Sequence, residues 1–370
     1  MSETSESDVL IVGGGLAGLA LAAYLRRQGR EPLLVEQAAE WRGGGYGIGL
    51  WTDGLAVLAE LGRLDTVREQ AADPDGFEIR ASGGDLLTRT TLPPERTLLL
   101  AVHRADLHAA LRADLPTDRV RMGTSPERID ERADSVAVTF DDGTTESFDL
   151  VVGADGVHST VRERCFTDWT TREYDTYVWS LWADQAVDVG SDMVSVWGPG
   201  SEGFVVRVGD RVGFNLAARL DTPPARDELR RQADRIGWQL PALLDGTDDD
   251  PFFDRIRDVT CERWHTDRIV LIGDAAHAVH PISGMGASLA LQDARVLAQE
   301  LATGLPDDIG GALRRFEHRR RGDATRVSRA ARVEAAVTVL ESERLRRVRN
   351  AVIEHTPLFE WFVRRQLTTA

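Results

Sequence analysis

Lysine is absent from the chain, so all 44 basic residues are arginine, against 60 aspartates and glutamates. The net charge of −16 excludes nucleic acid and anionic lipid as partners of the surface as a whole, since both repel such a field. Two readings of the missing lysine stand: halophilic adaptation, in which acidic side chains hold hydration in concentrated salt, and a high-GC codon bias. Cysteine is scarce too. Cys165 and Cys261 are too few for a disulfide framework or a metal motif and read as two reduced thiols. No apolar run approaches the ~18–20 residues of a membrane span. The polar start, Met1 to Asp8, lacks the charged and apolar regions of a signal peptide, so a cytoplasmic location is expected.

What is present begins with glycine. Val9 to Val12 is a short apolar run, as a buried parallel strand requires. It runs into Gly13-x-Gly15-x-x-Gly18, and Leu16, Leu19, Ala20 and Ala23 follow at helical spacing. Arg26 and Arg27 suit the last helical turn and Gly29 the left-handed position after it. Pro32 to Glu36 reads as a second strand. Glu36 lies about 20 residues beyond Gly15, where an acid meets a ribose. The glycines permit a tight turn, close backbone approach to a pyrophosphate, and close packing of helix on strand. The helix start supplies free N–H groups for phosphates. An acid at Glu36 disfavours a 2′-phosphate, hence NADP, in this turn.

Two further strand-to-turn-to-helix units follow. One is Asp149 to Arg162, with Asp155 and Gly156 at its turn. The other is Arg268 to Gly286, with Gly273 and Asp274 followed by Pro281, Gly284, Met285 and Gly286. Just upstream of the first, Val136–Phe140 and Thr144–Phe148 flank Asp141-Asp142-Gly143 as a hairpin. A Gly-rich turn at each end of the chain, the second with an acid at its start, points to a long cofactor held at both ends, namely FAD.

Gly13-x-Gly15-x-x-Gly18, Arg104, Asp155-Gly156 and Gly273-Asp274 with Pro281 together resemble the FAD-dependent aromatic hydroxylases related to p-hydroxybenzoate hydroxylase, the class A flavoprotein monooxygenases. The likeness covers nearly the whole chain. It implies an α/β fold: a Rossmann-like FAD-binding domain of residues 1–72, 100–172 and 262–308, an inserted β-sheet substrate domain of residues 73–99 and 173–261, and C-terminal helices over 309–370. It implies that Glu36 binds the adenosine ribose, Arg104 the phosphate–ribityl part, and Asp274 the ribityl chain. Asp155 would serve both FAD and pyridine nucleotide. Pro281 and the Gly284-Met285-Gly286 turn would lie along the flavin ring, and Arg42 is a further cofactor candidate. Met285 and Ser288 depart from the Gln and Asn frequent in relatives. Gly286 opens a helix whose free N–H groups suit the negative charge of a reduced flavin.

The activity implied is hydroxylation of an aromatic or polyketide-like small molecule with NADH or NADPH and O2, through a flavin C4a-hydroperoxide, by a monomer or homodimer. A prenyl-chain reductase and a non-redox FAD-holding isomerase are the alternatives. No catalytic His, Ser or Cys is needed, because the cofactor carries the chemistry. His277 and His280 read as structural and not as metal ligands. The glycine-rich loop at 43–49 reads as either a mobile segment or a plain connector. Trp179 and Trp182 fall on opposite faces of one strand, so at most one lines a pocket from it. The arginine-rich stretch Arg314 to Arg321 reads as the solvated face of a helix.

Overall fold

The run Val9–Val12 forms strand β1, fully buried at the centre of a five-stranded parallel sheet. On one side lie β11 (Leu150–Gly153) and β17 (Ile269–Leu271); on the other lie β2 (Leu33–Glu36) and β7 (Val120–Met122). This computed structural model describes residues 8–41, 46–92, 97–184, 187, 189–209, 211–247, 250–305 and 307–356. Arg42 and Gly43 to Gly45 lie outside the described residues.

Helix α1 (Leu16–Arg27) follows β1 and ends as its sequence dictates. Gly29 takes φ +78, its N–H bonds Arg26 O at 2.9 Å, and Arg30 N–H bonds Leu25 O at 3.1 Å, a Schellman closure. α2 (Thr52–Glu60), α3 (Leu64–Arg68), α4 (Arg104–Arg112) and α5 (Thr160–Cys165) are short. The anticipated hairpin is the pair β9 (Val136–Phe140) and β10 (Thr145–Phe148), extended by β8 (Pro126–Glu131).

A seven-stranded sheet runs β16 (Phe252–Cys261), β12 (Trp169–Asp184), β15 (Arg211–Arg219), β14 (Ser201–Val208), β13 (Met193–Gly198), β4 (Gly76–Ala81), β5 (Leu86–Thr91). Its first face carries Tyr177, Trp179, Leu181, Phe214 and Leu216. They are buried in one cluster with residues of α6 (Glu228–Ile236) and α7 (Leu240–Asp245). The second face is different. Val178, Glu202, Phe204 and Asn215 alternate along it and are only half-buried. Trp182 lies on this second face, 4.9 Å from the His103 ring, so the two tryptophans diverge as a pleated strand requires.

Beside that face runs a two-stranded ribbon, β3 (Gly47–Trp51) with β6 (Leu99–His103), so the described end of the glycine-rich loop is paired strand. The last third of the chain forms α8 (Asp274–His277), α9 (Gly286–Gly304), α10 (Ile309–Thr338) and α11 (Glu343–His355). One expectation needs correcting here. Arg314, Arg315 and Arg319 do face solvent, but Arg320 is 3% exposed. It falls on the inward stripe of α10 with Leu313, Phe316 and Ala324, where a buried acid waits for it.

Candidate functional site

Three strand ends, those of β1, β11 and β17, lie in register beside one another. Ligands in open α/β sheets bind outside such carboxyl ends. At the first turn, Gly13 has φ +106 and a Cβ there would collide with Ala154 O; one on Gly18 would collide with Gly13 O. Packing therefore dictates both glycines. Gly15 differs. Its φ of −75 suits any residue, and a Cβ would meet nothing nearer than Ala154 O at 3.9 Å. It borders a cleft of about 260 Å³ shared with Glu36, Arg104, Asp155 and Gly156. That open side is what a backbone-hugging pyrophosphate needs. Gly15→Thr is expected to keep apoprotein stability within about 1 kcal/mol, since Thr and Gly rank alike at a helix N-cap, while weakening FAD binding at least about tenfold. Gly18→Thr should lose both. Thermal melts and flavin titration of the two variants distinguish packing from binding.

Glu36 ends β2 beside this turn. Its carboxylate accepts Gly14 N–H at 2.8 Å and Ala38 N–H at 2.9 Å, keeping lone pairs for a hydroxyl in the cleft. Two residues that sequence reasoning missed fix the other side. His108 Nε2 donates to Gly14 O at 2.8 Å, since a carbonyl can only accept, and Trp41 meets the His108 ring edge-on at 5.1 Å. Burial lowers the His108 pKa, which keeps it neutral. His108 stands four residues after Arg104, hence on the same face of α4, a signal open to inspection.

The second turn holds Asp155. Its carboxylate accepts the Ser159 hydroxyl at 2.5 Å and Val161 N–H at 3.1 Å, while burial raises its pKa against those bonds. Arg162, fully buried and also missed, ties this turn to the third. It donates to Ala275 O at 3.0 Å and Val157 O at 2.7 Å.

At the third turn, Asp274 opens α8 and is exposed, yet protein crowds it on every side, as at the floor of a recess. Desolvation raises its carboxyl pKa. The charges of His277 and Arg104 oppose that rise and Asp293 adds to it. Arg104 also bonds the Tyr46 side chain, so three chain segments converge here. Behind the turn, buried Asp293 accepts Gly273 N–H at 2.9 Å, His277 at 2.6 Å and Arg320 at 2.8 Å. His277 is thereby structural. His280 Nδ1 accepts Ile282 N–H at 3.3 Å, and no metal-binding cluster occurs among the described residues.

Pro281 to Ser283 form a single 3-10 turn before α9, and Met285 at its N-cap lends no side-chain bond, leaving the first N–H groups free. The Ser288 departure has a local reason. Its hydroxyl accepts Trp51 N–H at 3.0 Å, and a Cβ on Gly54 would lie 3.3 Å from its Cα, so α2 packs close against α9 here and Gly54 has no room for a side chain. The Trp51 indole N–H, 3.8 Å from where a Cβ on Gly284 would stand, is buried without a partner among the described residues. An orphaned donor beside this turn, an open cradle at Gly15 and an acid in a recess between them fit an elongated flavin nucleotide.

Residues 6–331 match the model of the FAD binding domain family. The chain is 34% identical over 305 residues to 2-heptyl-3-hydroxy-4(1H)-quinolone synthase of Pseudomonas aeruginosa, covering 79% of this chain and 80% of that one. It is 33% identical to a 3-amino-4-hydroxybenzoate 2-monooxygenase of Streptomyces platensis, covering 89% and 88%. Among solved structures, Klebsiella pneumoniae HpxO complexed with FAD and uric acid superposes with a TM-score of 0.87 at 26% identity, covering 98% of this chain and 96% of that one.

Proposed function

The chain belongs to the FAD-binding aromatic monooxygenase family, and from that premise we propose that its reductant is NADH or NADPH and its substrate a small electron-rich aromatic or heteroaromatic ring. It is an FAD-dependent monooxygenase. Bound FAD supplies the redox chemistry and oxygen activation that no side chain here provides. The protein contributes binding, orientation and dryness.

In this reading, Gly13 to Gly15 take the pyrophosphate, Arg104 the phosphate–ribityl part, Glu36 the adenosine ribose, Asp155 both FAD and pyridine nucleotide, and Asp274 the ribityl chain. Pro281, Gly284, Met285 and Gly286 border the ring, and the free N–H groups of α9 face its electron-rich edge. The half-buried face of the seven-stranded sheet makes the substrate floor, which supports assigning residues 73–99 and 173–261 to a substrate domain. Water excluded from that chamber cannot divert the oxygen.

The observation that carries the cofactor geometry is Asp274, an acid exposed in a recess shared with Arg104 and Tyr46. Asp274→Ala is expected to lose most of its FAD and, with it, aromatic-stimulated O2 uptake from NADH or NADPH at an oxygen electrode. Full occupancy with unaltered turnover in that variant would refute the assignment.

A further inference from the structure

A polar pair stands on the second face of the seven-stranded sheet, and no bond of the fold uses it. Ser180 on β12 and Asn215 on β15 are direct antiparallel partners, so their side chains share that face with Cβ atoms ~5 Å apart. Phe204 lies opposite Asn215 on β14, and Val178 with Ala217 is the next pair along. Among the described residues, no hydrogen bond or ion pair engages the Ser180 hydroxyl or the Asn215 amide. Neither is sealed in, since the buried polar atoms without partners lie elsewhere; both open on the space above the sheet.

Two contacts bracket the pair along β12. At one end the Tyr174 ring meets His280, the residue before Pro281, at 4.9 Å. At the other, Trp182 leans over its partner Gly213, where a Cβ would come within 3.0 Å of the indole, and meets His103 at 4.9 Å. From there β3 leads to the Gly284 turn: a Cβ on Gly47 would lie 3.2 Å from Val206, and one on Gly49 3.8 Å from Gly284 O. Gly47 and Gly49 are ~7 Å apart, as are Gly213 and Asn215, so small-molecule dimensions separate the pair from that turn. Asparagine is a poor strand former, and an amide unpaired on a half-buried face costs free energy that a bound partner offsets.

We propose that Asn215, with Ser180, determines specificity by pairing with an uncharged lactam edge, an N–H beside a carbonyl, on a small heteroaromatic substrate. The inference rests on the aromatic-monooxygenase reading and adds the substrate class. A carboxamide carries both an acceptor and donors, so it meets such an edge in two parallel hydrogen bonds, and the Ser180 hydroxyl donates to the same carbonyl. Neither side chain is charged, so a carboxylate gains no ion pair from them. Arg211, on the same face, is held over the Trp182 ring at 5.6 Å. Phe204 and Val178, both half-buried, supply the apolar walls.

The test uses purified FAD-loaded protein and three probes: a hydroxyquinolinone carrying the lactam, the matching hydroxycoumarin, whose ring oxygen replaces the N–H, and hydroxybenzoate. Kd is read from perturbation of flavin absorbance, and turnover from probe-stimulated O2 uptake with NADH or NADPH. The wild type should bind the lactam at least about tenfold more tightly than the lactone, whose ring oxygen gives the Asn215 carbonyl nothing to accept. Asn215→Val, a better strand residue, should bring that ratio near unity, and Asn215→Ala gives a second route to the same loss. Ser180→Ala should weaken both probes roughly threefold to tenfold and keep the ratio. FAD content of each variant serves as the folding control. An unchanged ratio in the Asn215 variants overturns the subsite, as does a wild type that prefers hydroxybenzoate, which would assign recognition to a cation such as Arg211. Probes that bind and draw O2 without a lactam preference sink the subsite alone. A flavin that no probe perturbs, with no O2 uptake, sinks the parent reading and the subsite with it.

Discussion

Asp293→Ala is expected to destabilise the protein by about 3–5 kcal/mol, because it strands a buried guanidinium. Asp293 is fully buried and bonds Arg320, His277 and Gly273 N–H at once. Burial alone would push its carboxyl up, but the charges and hydrogen bonds of His277 and Arg320 outweigh that and hold it down to about 2. Without it, Arg320 keeps, among the described residues, Gln292, Asp323 and a long contact to Leu289 O. Chemical denaturation of the apoprotein measures the loss. Arg320→Ala should cost a similar amount, and Asp293→Leu with Arg320→Leu less than their sum, since removing both charges leaves neither unpaired. A loss below about 1 kcal/mol in Asp293→Ala would mean the network carries little. The acid side has a defined window. A depressed carboxyl contributes fully above its unfolded value of about 3.9, and the contribution vanishes as pH falls towards 2.

A second expected result lies at milder pH. His280 is 5% exposed, and its burial lowers the imidazole pKa from 6.5 to about 4, with the Asp258 charge opposing. Below pH 6.5 the unfolded chain takes up a proton that the folded site refuses. Stability from this group is therefore complete above pH 6.5 and is lost as pH falls towards 4, by about 3 kcal/mol at most. His280→Asn should flatten that slope, since the amide oxygen can still accept Ile282 N–H. Urea midpoints of both proteins at pH 7.5, 6.5, 5.5 and 4.5, taken as about 1 unit apart, give the difference directly. Parallel curves would show that His280 already charges in the folded state. The Tyr174 ring, edge-on to His280 at 4.9 Å, sits between it and Asp258, whose own charge is taken up by Arg332 and the Tyr174 hydroxyl. That arrangement explains why a nearby acid fails to keep the imidazole charged.

The residues legible before the structure are those whose requirement is local. Gly13 and Gly18 are fixed by the turn they make, and Asp274 by its place after an apolar strand. His108 and Arg162 were not legible, because each acts on a backbone carbonyl that only tertiary packing brings near. Asp293 and Arg320 are an intermediate case. Each interrupts the apolar stripe of its own helix, and two interruptions of opposite sign on neighbouring helices were visible in principle. Reading the arginine-rich stretch by composition hid that, since Arg320 looked like the six other polar residues between Arg314 and Arg321.

The parallel register of β1 between β2 and β11 carries a consequence for how the chain is made. Val9 pairs with Leu150, a partner about 140 residues later, and Val151 of β11 pairs with Ile269 beyond the whole inserted sheet. On a ribosome the first strand emerges early and stays half-matched until residues past 150 appear, and β11 in turn until residues past 269. The inserted sheet, paired chiefly within itself, can close first. Joining distant strands is the slow step in such topologies. The cleft at Gly15 draws on the ends of β1, β2 and β11, while Asp274 follows β17, so the complete site proposed for the cofactor is among the last features of the molecule to exist, and cofactor capture coincides with the end of folding.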